Sequence, residues 1–132
     1  STFMAKGPSS HWVVMDSTPK NYGQDGAARP MEMVLFAMGG CSGIDIDLIL
    51  RKMSVEMDDF RLKISGEQAE TEPRIYTKIH VEYHFWGTDL PLAKLKKAAQ
   101  LTDEKYCPVT NMLNKVAEVT TEVIVHKPGE AG

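Results

Sequence analysis

A chain of 132 residues is sized for one domain, residues 1–132, with a modest hydrophobic core. Its 15 Lys+Arg against 18 Asp+Glu leave a net charge of -3. The two signs alternate along the chain, which argues against the basic footprint of a nucleic-acid binder and against any acidic or polybasic tail.

A hydrophobic content of 42% is that of a folded globule rather than a disordered chain. No apolar run approaches the roughly 20 residues expected of a membrane span, so no membrane is expected as a partner. The N-terminus lacks the basic and then apolar pattern of a signal peptide. Two cysteines in such a chain, Cys41 and Cys107, point to a reducing cytoplasm.

In chain order, residues 10–16 are rich in β formers and read as a short strand, with Phe3 and Met4 in its hairpin partner. Residues 17–28 are rich in Pro, Asn, Gly and Asp and read as a long loop. Pro30 then suits the first position of a helix, and Glu32 places a negative charge in its first turn. Val34, Leu35 and Met38 continue an apolar face from Met31. Gly39 and Gly40 weaken the helix by roughly 1 kcal/mol each relative to alanine, and it resumes to Met53. Apolar residues on nearly every side predict a helix buried on most faces, at the centre of a domain or a dimer.

Phe60, Leu62 and Ile64 alternate with polar residues as a strand, followed by a polar turn over 67–73. Ile75, Thr77, Ile79, Val81, Tyr83 and Phe85 then form one face of a longer strand, giving a two-stranded meander. Residues 91–106 read as a helix, 109–116 as a short helix restarted at Cys107-Pro108, and 119–125 as a last strand. Strands, a central helix, strands, helices and a strand make an α+β chain.

The chemistry falls on the two thiols. Cys107 precedes a helix-starting proline, so exposed N–H groups and the helix dipole favour its thiolate. Cys41 follows two glycines, which admit a close approach to its sulfur. Asp45 lies one helical turn beyond Cys41 and would raise its thiol pKa, so a reactive Cys41 needs a cation, and Arg29 is the nearest in the same stretch. The competing reading is that both are ordinary buried cysteines. Met31, Met33, Met38 and Met53 could line an adaptable apolar pocket or simply pack the core. His80 and His84 share a strand face about 13 Å apart, too far for one metal, and His11 and His126 have no partner at metal-binding spacing. No metal is expected.

The stretch Arg29-Pro30-Met31-Glu32-Met33-Val34-Leu35-Phe36-Ala37-Met38-Gly39-Gly40-Cys41-Ser42-Gly43-Ile44-Asp45, together with Glu104-Lys105-Tyr106-Cys107-Pro108-Val109, resembles the OsmC/Ohr family of osmotically inducible and organic-hydroperoxide-resistance proteins. The resemblance implies an α+β fold, an intertwined homodimer with central cysteine-bearing helices wrapped by antiparallel sheets. It implies reduction of organic hydroperoxides or hydrogen peroxide, in oxidative or osmotic stress defence. Cys41 would be the peroxidatic thiolate and Cys107 the resolving thiol. An external dithiol would serve as reductant, with no cofactor.

Two positions depart from the most active branch. Met31 stands where that branch has a glutamate, the acid coming one residue later at Glu32. The arginine of its N-terminal strand has no counterpart here, where Lys6 and Lys20 are the only Lys or Arg side chains before Arg29. Arg29 is the candidate thiolate stabiliser and Glu32 the candidate support. The alternatives are a non-catalytic dimeric module for a small apolar ligand, and a redox sensor.

Overall fold

The computed structural model describes residues 1–132. Its backbone falls into two compact units, Ser1–Phe36 and Ala37–Gly132.

The first unit opens with the expected hairpin. Strands β1 (Phe3–Lys6) and β2 (Trp12–Met15) pair antiparallel, from Phe3 opposite Met15 to Lys6 opposite Trp12. The turn is closed by the Ser10 N–H on the Gly7 carbonyl at 3.0 Å. The long segment that follows is tied down by one buried side chain. The Asp16 carboxylate accepts the N–H groups of Ser17 (2.8 Å), Gln24 (3.2 Å) and Gly26 (3.0 Å). Donors from Gly26, Ser17 and Gln24 hold this carboxyl below its ordinary value against the opposing effect of burial. The Asp16 N–H donates to Ala28, closing the segment at its far end.

Helix α1 (Pro30–Lys52) starts in the first unit and continues through the second. Pro30 occupies the first helical position, and the Glu32 carboxylate accepts the Arg29 N–H at 2.9 Å, one half of a capping box at the helix start. The helix runs unbroken through Gly39 and Gly40. A Cβ at Gly39 would stand 2.8 Å from Ile64 Cδ1, so the glycine lets a strand approach the helix closely.

One expectation is met on a single face within one chain, and one is corrected. Within one chain the helix buries a single stripe, Met38, Ser42, Ile46 and Leu50, while Ile44 and Leu48 are 72% and 49% exposed. The helix also holds an 18-residue window of mean hydropathy 1.7, enough by length and composition alone to cross a bilayer. Isolated acids such as Asp45 interrupt an apolar run when it is counted residue by residue, but barely lower an average.

The second unit carries a three-stranded sheet in the order β3 (Asp59–Gln68), β4 (Tyr76–Trp86), β5 (Glu118–His126). β3 and β4 are antiparallel, and β3 runs past the expected turn start at Glu67. A bulge between Glu67 and Gln68 sets Gln68 opposite Tyr76. Beyond it, Ile79, Val81, Tyr83 and Phe85 are buried in alternation, as the sequence pattern predicts. Tyr76 is buried and Thr77 exposed, the reverse of that pattern, next to the bulge.

β5 pairs with β4 in parallel, Lys78 opposite Glu118 through Trp86 opposite His126. The antiparallel β3–β4 pair is the expected meander, and the parallel third strand corrects the expectation of wholly antiparallel sheets. A parallel neighbour needs a crossover, and the helices between β4 and β5 supply it.

Those helices are α2 (Leu92–Leu101) and α3 (Pro108–Leu113). The helix expected to reach residue 106 instead changes at Thr102 into a wider π-helical turn, Thr102–Tyr106. The Cys107 N–H bonds to the Thr102 carbonyl at 2.9 Å, which closes that turn and delivers Cys107 to the start of α3.

Candidate active site

Two elements place the sulfurs. Cys41 sits in the middle of α1, next to Ser42 on the buried stripe. Cys107 is the N-cap of α3, with Pro108 at the first helical position. Both thiols are free, Cys41 half-buried and Cys107 fully buried. Cys41 Sγ, Cys107 Sγ and a carboxylate oxygen of Asp45 lie within 4.8 Å of one another. Residues 66 positions apart in sequence thus form one site, as the paired-thiol reading requires.

The hydrogen bonds around the two sulfurs are unequal. Cys107 Sγ accepts the Thr110 N–H at 3.3 Å and the Thr110 hydroxyl at 3.2 Å. The Thr110 hydroxyl also bonds the Ser42 hydroxyl at 3.1 Å, and both side chains are buried. Burial opposes ionisation of Cys107. Donors from Ser42, Thr110 and the Cys41 thiol outweigh it and bring this thiol below its ordinary value.

Cys41 moves the other way. Burial raises its thiol most, the neighbouring Cys107 raises it further, and Asp45 adds to the effect; the Val109 N–H opposes them. The first negative charge of the pair therefore rests on the buried sulfur. Both shifts run in the directions expected of a thiol at the N-cap of α3 and of a thiol beside Asp45.

Arg29 and Glu32, the other candidate site residues, are engaged at the start of α1. The Arg29 guanidinium contacts Asp25 at 2.9 Å and Glu32 at 3.6 Å. Met38 is a core residue, 1% exposed. His84 and His126, read as unpartnered by spacing, meet at 2.8 Å between ring nitrogens because β5 lies parallel beside β4.

Ser42, Thr110, Tyr83 and Asp103 escaped the sequence reading. Thr110 had a signal, because the third helical residue donates its N–H to an N-cap side chain. Ser42 had none, since its partner lies 68 residues away. The Tyr83 hydroxyl donates to Asp103 at 2.7 Å, tying β4 to the π-helical turn that carries Cys107. Burial pushes both groups up from their ordinary values.

This is a two-cysteine centre on an α+β scaffold, with one thiol capped by a helix and the other half-open. The chain belongs to the OsmC-like family, whose model matches residues 23–122. It is 41% identical over 119 residues to protein YhfA of Escherichia coli K12, covering 90% of this chain and 86% of that one. Among solved structures it is similar to a hypothetical protein from Aquifex aeolicus at 26% identity and a TM-score of 0.71, covering 96% of each chain. It shares its fold with an organic hydroperoxide resistance protein OsmC from Legionella pneumophila at 15% identity and a TM-score of 0.67, covering 95% of this chain and 96% of that one.

Proposed function

We propose that this OsmC-like domain is a thiol-dependent peroxidase reducing organic hydroperoxides or hydrogen peroxide through Cys41 and Cys107. The observation that carries the reading is the sulfur pair itself: two free thiols in one site, one half-exposed and one buried at a helix N-cap. A pair held only for packing has no need of the two Thr110 donors aimed at Cys107, backed by Ser42.

The proton inventory suggests how the reaction runs. Cys107 is the sulfur favoured to ionise first, and the Cys41 thiol then donates to it. Passing that proton to Cys107 leaves Cys41, the half-exposed sulfur, as the nucleophile. Cys41 Sγ attacks a peroxide oxygen; the S–O bond forms as the O–O bond breaks, and the departing alkoxide takes the proton held by Cys107. The product is an alcohol and a Cys41 sulfenic acid. Cys107, again a thiolate, attacks the sulfenic sulfur; the disulfide forms and hydroxide leaves. The two thiols lose two electrons and the peroxide gains them. A dithiol reductant then restores both thiols by exchange.

Arg29 and Glu32 enter this reading as the cation and acid of the helix start, with Arg29 the candidate stabiliser of the Cys41 thiolate and Glu32 its support. The working form is a homodimer in the cytoplasm. The test is peroxide consumption with dithiothreitol as reductant. Cys41→Ser should abolish it, and equal rates for variant and wild type would overturn the reading. Cys107→Ser should leave a sulfenic acid on Cys41 that dimedone traps.

A further inference from the structure

Asp45 is the group at this site that peroxide chemistry does not use. Its Oδ2 is buried and has no hydrogen-bond partner. A buried carboxylate oxygen with no donor is costly and calls for a positive partner. Two sulfurs and a carboxylate oxygen, each a metal ligand when ionised, converge within 4.8 Å of one another.

We propose that the reduced Cys41–Asp45–Cys107 set is a binding site for one thiophilic divalent ion of the zinc class. The donor set fits that chemistry. Two thiolates and one carboxylate are soft enough for zinc and unsuited to calcium or magnesium, which take all-oxygen sites. Metal–sulfur bonds of about 2.3 Å in a tetrahedron set the sulfurs about 3.8 Å apart, within the observed limit.

The spacing is regular as well. Cys41 and Asp45 are one turn apart on α1, so both face the same side, and Cys107 closes the set from the start of α3. Around them, the Thr110 N–H and hydroxyl hold Cys107, and Ser42 holds Thr110, the outer support that metal ligands require. Three protein ligands leave a fourth position for water or a small ligand. Binding displaces whatever protons the two sulfurs still hold and involves no electron transfer. A Cys41–Cys107 disulfide would remove both sulfur ligands, so occupancy is tied to the reduced state.

This inference does not depend on the peroxidase reading, because its readout is optical and uses no peroxide. The full chain, reduced and freed of metal, is titrated with Co²⁺ and then with Zn²⁺ against a chromophoric chelator. The expected result is one ion per chain, with a sulfur-to-cobalt charge-transfer band that Zn²⁺ bleaches. Cys41→Ser should weaken that band. Asp45→Asn, which keeps the shape of the side chain, should keep the band and weaken binding at least about tenfold. A reduced wild type that takes no ion from the chelator overturns the proposal. So does Asp45→Asn binding as tightly as wild type, or a disulfide-oxidised protein that still binds.

Discussion

Two thiols in contact lose their first proton more readily than their second, because the remaining S–H donates to the thiolate and a second charge meets the first. Which sulfur takes the first charge is decided by the donors around it. Cys107 has the Thr110 N–H and hydroxyl, with the Ser42 hydroxyl behind Thr110; Cys41 has the Val109 N–H and an adjacent carboxylate. Thr110 is the hinge of this asymmetry, since its hydroxyl serves both Ser42 and Cys107. Thr110→Val keeps the shape and removes the oxygen. The Ser42 hydroxyl, 1% exposed, then loses its partner, a loss of about 1–3 kcal/mol readable in a denaturant midpoint. The same change should move the Cys107 thiolate to higher pH in a thiolate-absorbance titration. An unchanged titration would show that the hydroxyl does not support the thiolate. At this scale the sequence carried the N-cap and the penalty from Asp45, both set by neighbours within one helical turn. It could not carry Ser42, whose role exists only after α1 and α3 meet.

Among the elements, the segment between β2 and α1 shows how one side chain can replace regular structure. Asp16 gathers three amides from a stretch that composition alone marks only as a loop. Its folded pKa lies below the unfolded value of about 3.9. A depressed acid contributes stability above its unfolded pKa and loses it as pH falls through the folded value. The segment should therefore hold its amide protection at neutral pH and lose it below about pH 4. Hydrogen exchange at the Gln24 and Gly26 amides reads this directly. Asp16→Asn should exchange faster at neutral pH and show no such step. Similar limits explain the other element-level differences. The π-helical turn at Thr102–Tyr106 has no composition signal, since those residues are ordinary helix formers. The parallel direction of β5 is fixed by a crossover, which no alternation of apolar residues encodes.

The scale of the whole molecule is set by what α1 leaves uncovered. In one chain the helix buries Met38, Ser42, Ile46 and Leu50 and exposes Ile44 and Leu48, a second apolar stripe at helical spacing. The composition of α1 predicts a helix apolar on most sides; a single chain meets that prediction on one side. Covering each of these side chains fully is worth about 1.5–3 kcal/mol, and a two-fold axis counts each contact twice. At their present exposures, four such residues at one interface supply about 4–7 kcal/mol before the cost of association. The same stripe explains the high mean hydropathy of α1, because apolar residues lie on its exposed face as well as its buried one. The expected outcome is a wild-type protein that sediments at twice the mass of one chain. Ile44→Glu with Leu48→Glu should shift it to a single chain while circular dichroism retains the helical signal. A wild type that sediments as one chain, or a double variant that still pairs, would move the interface away from this stripe.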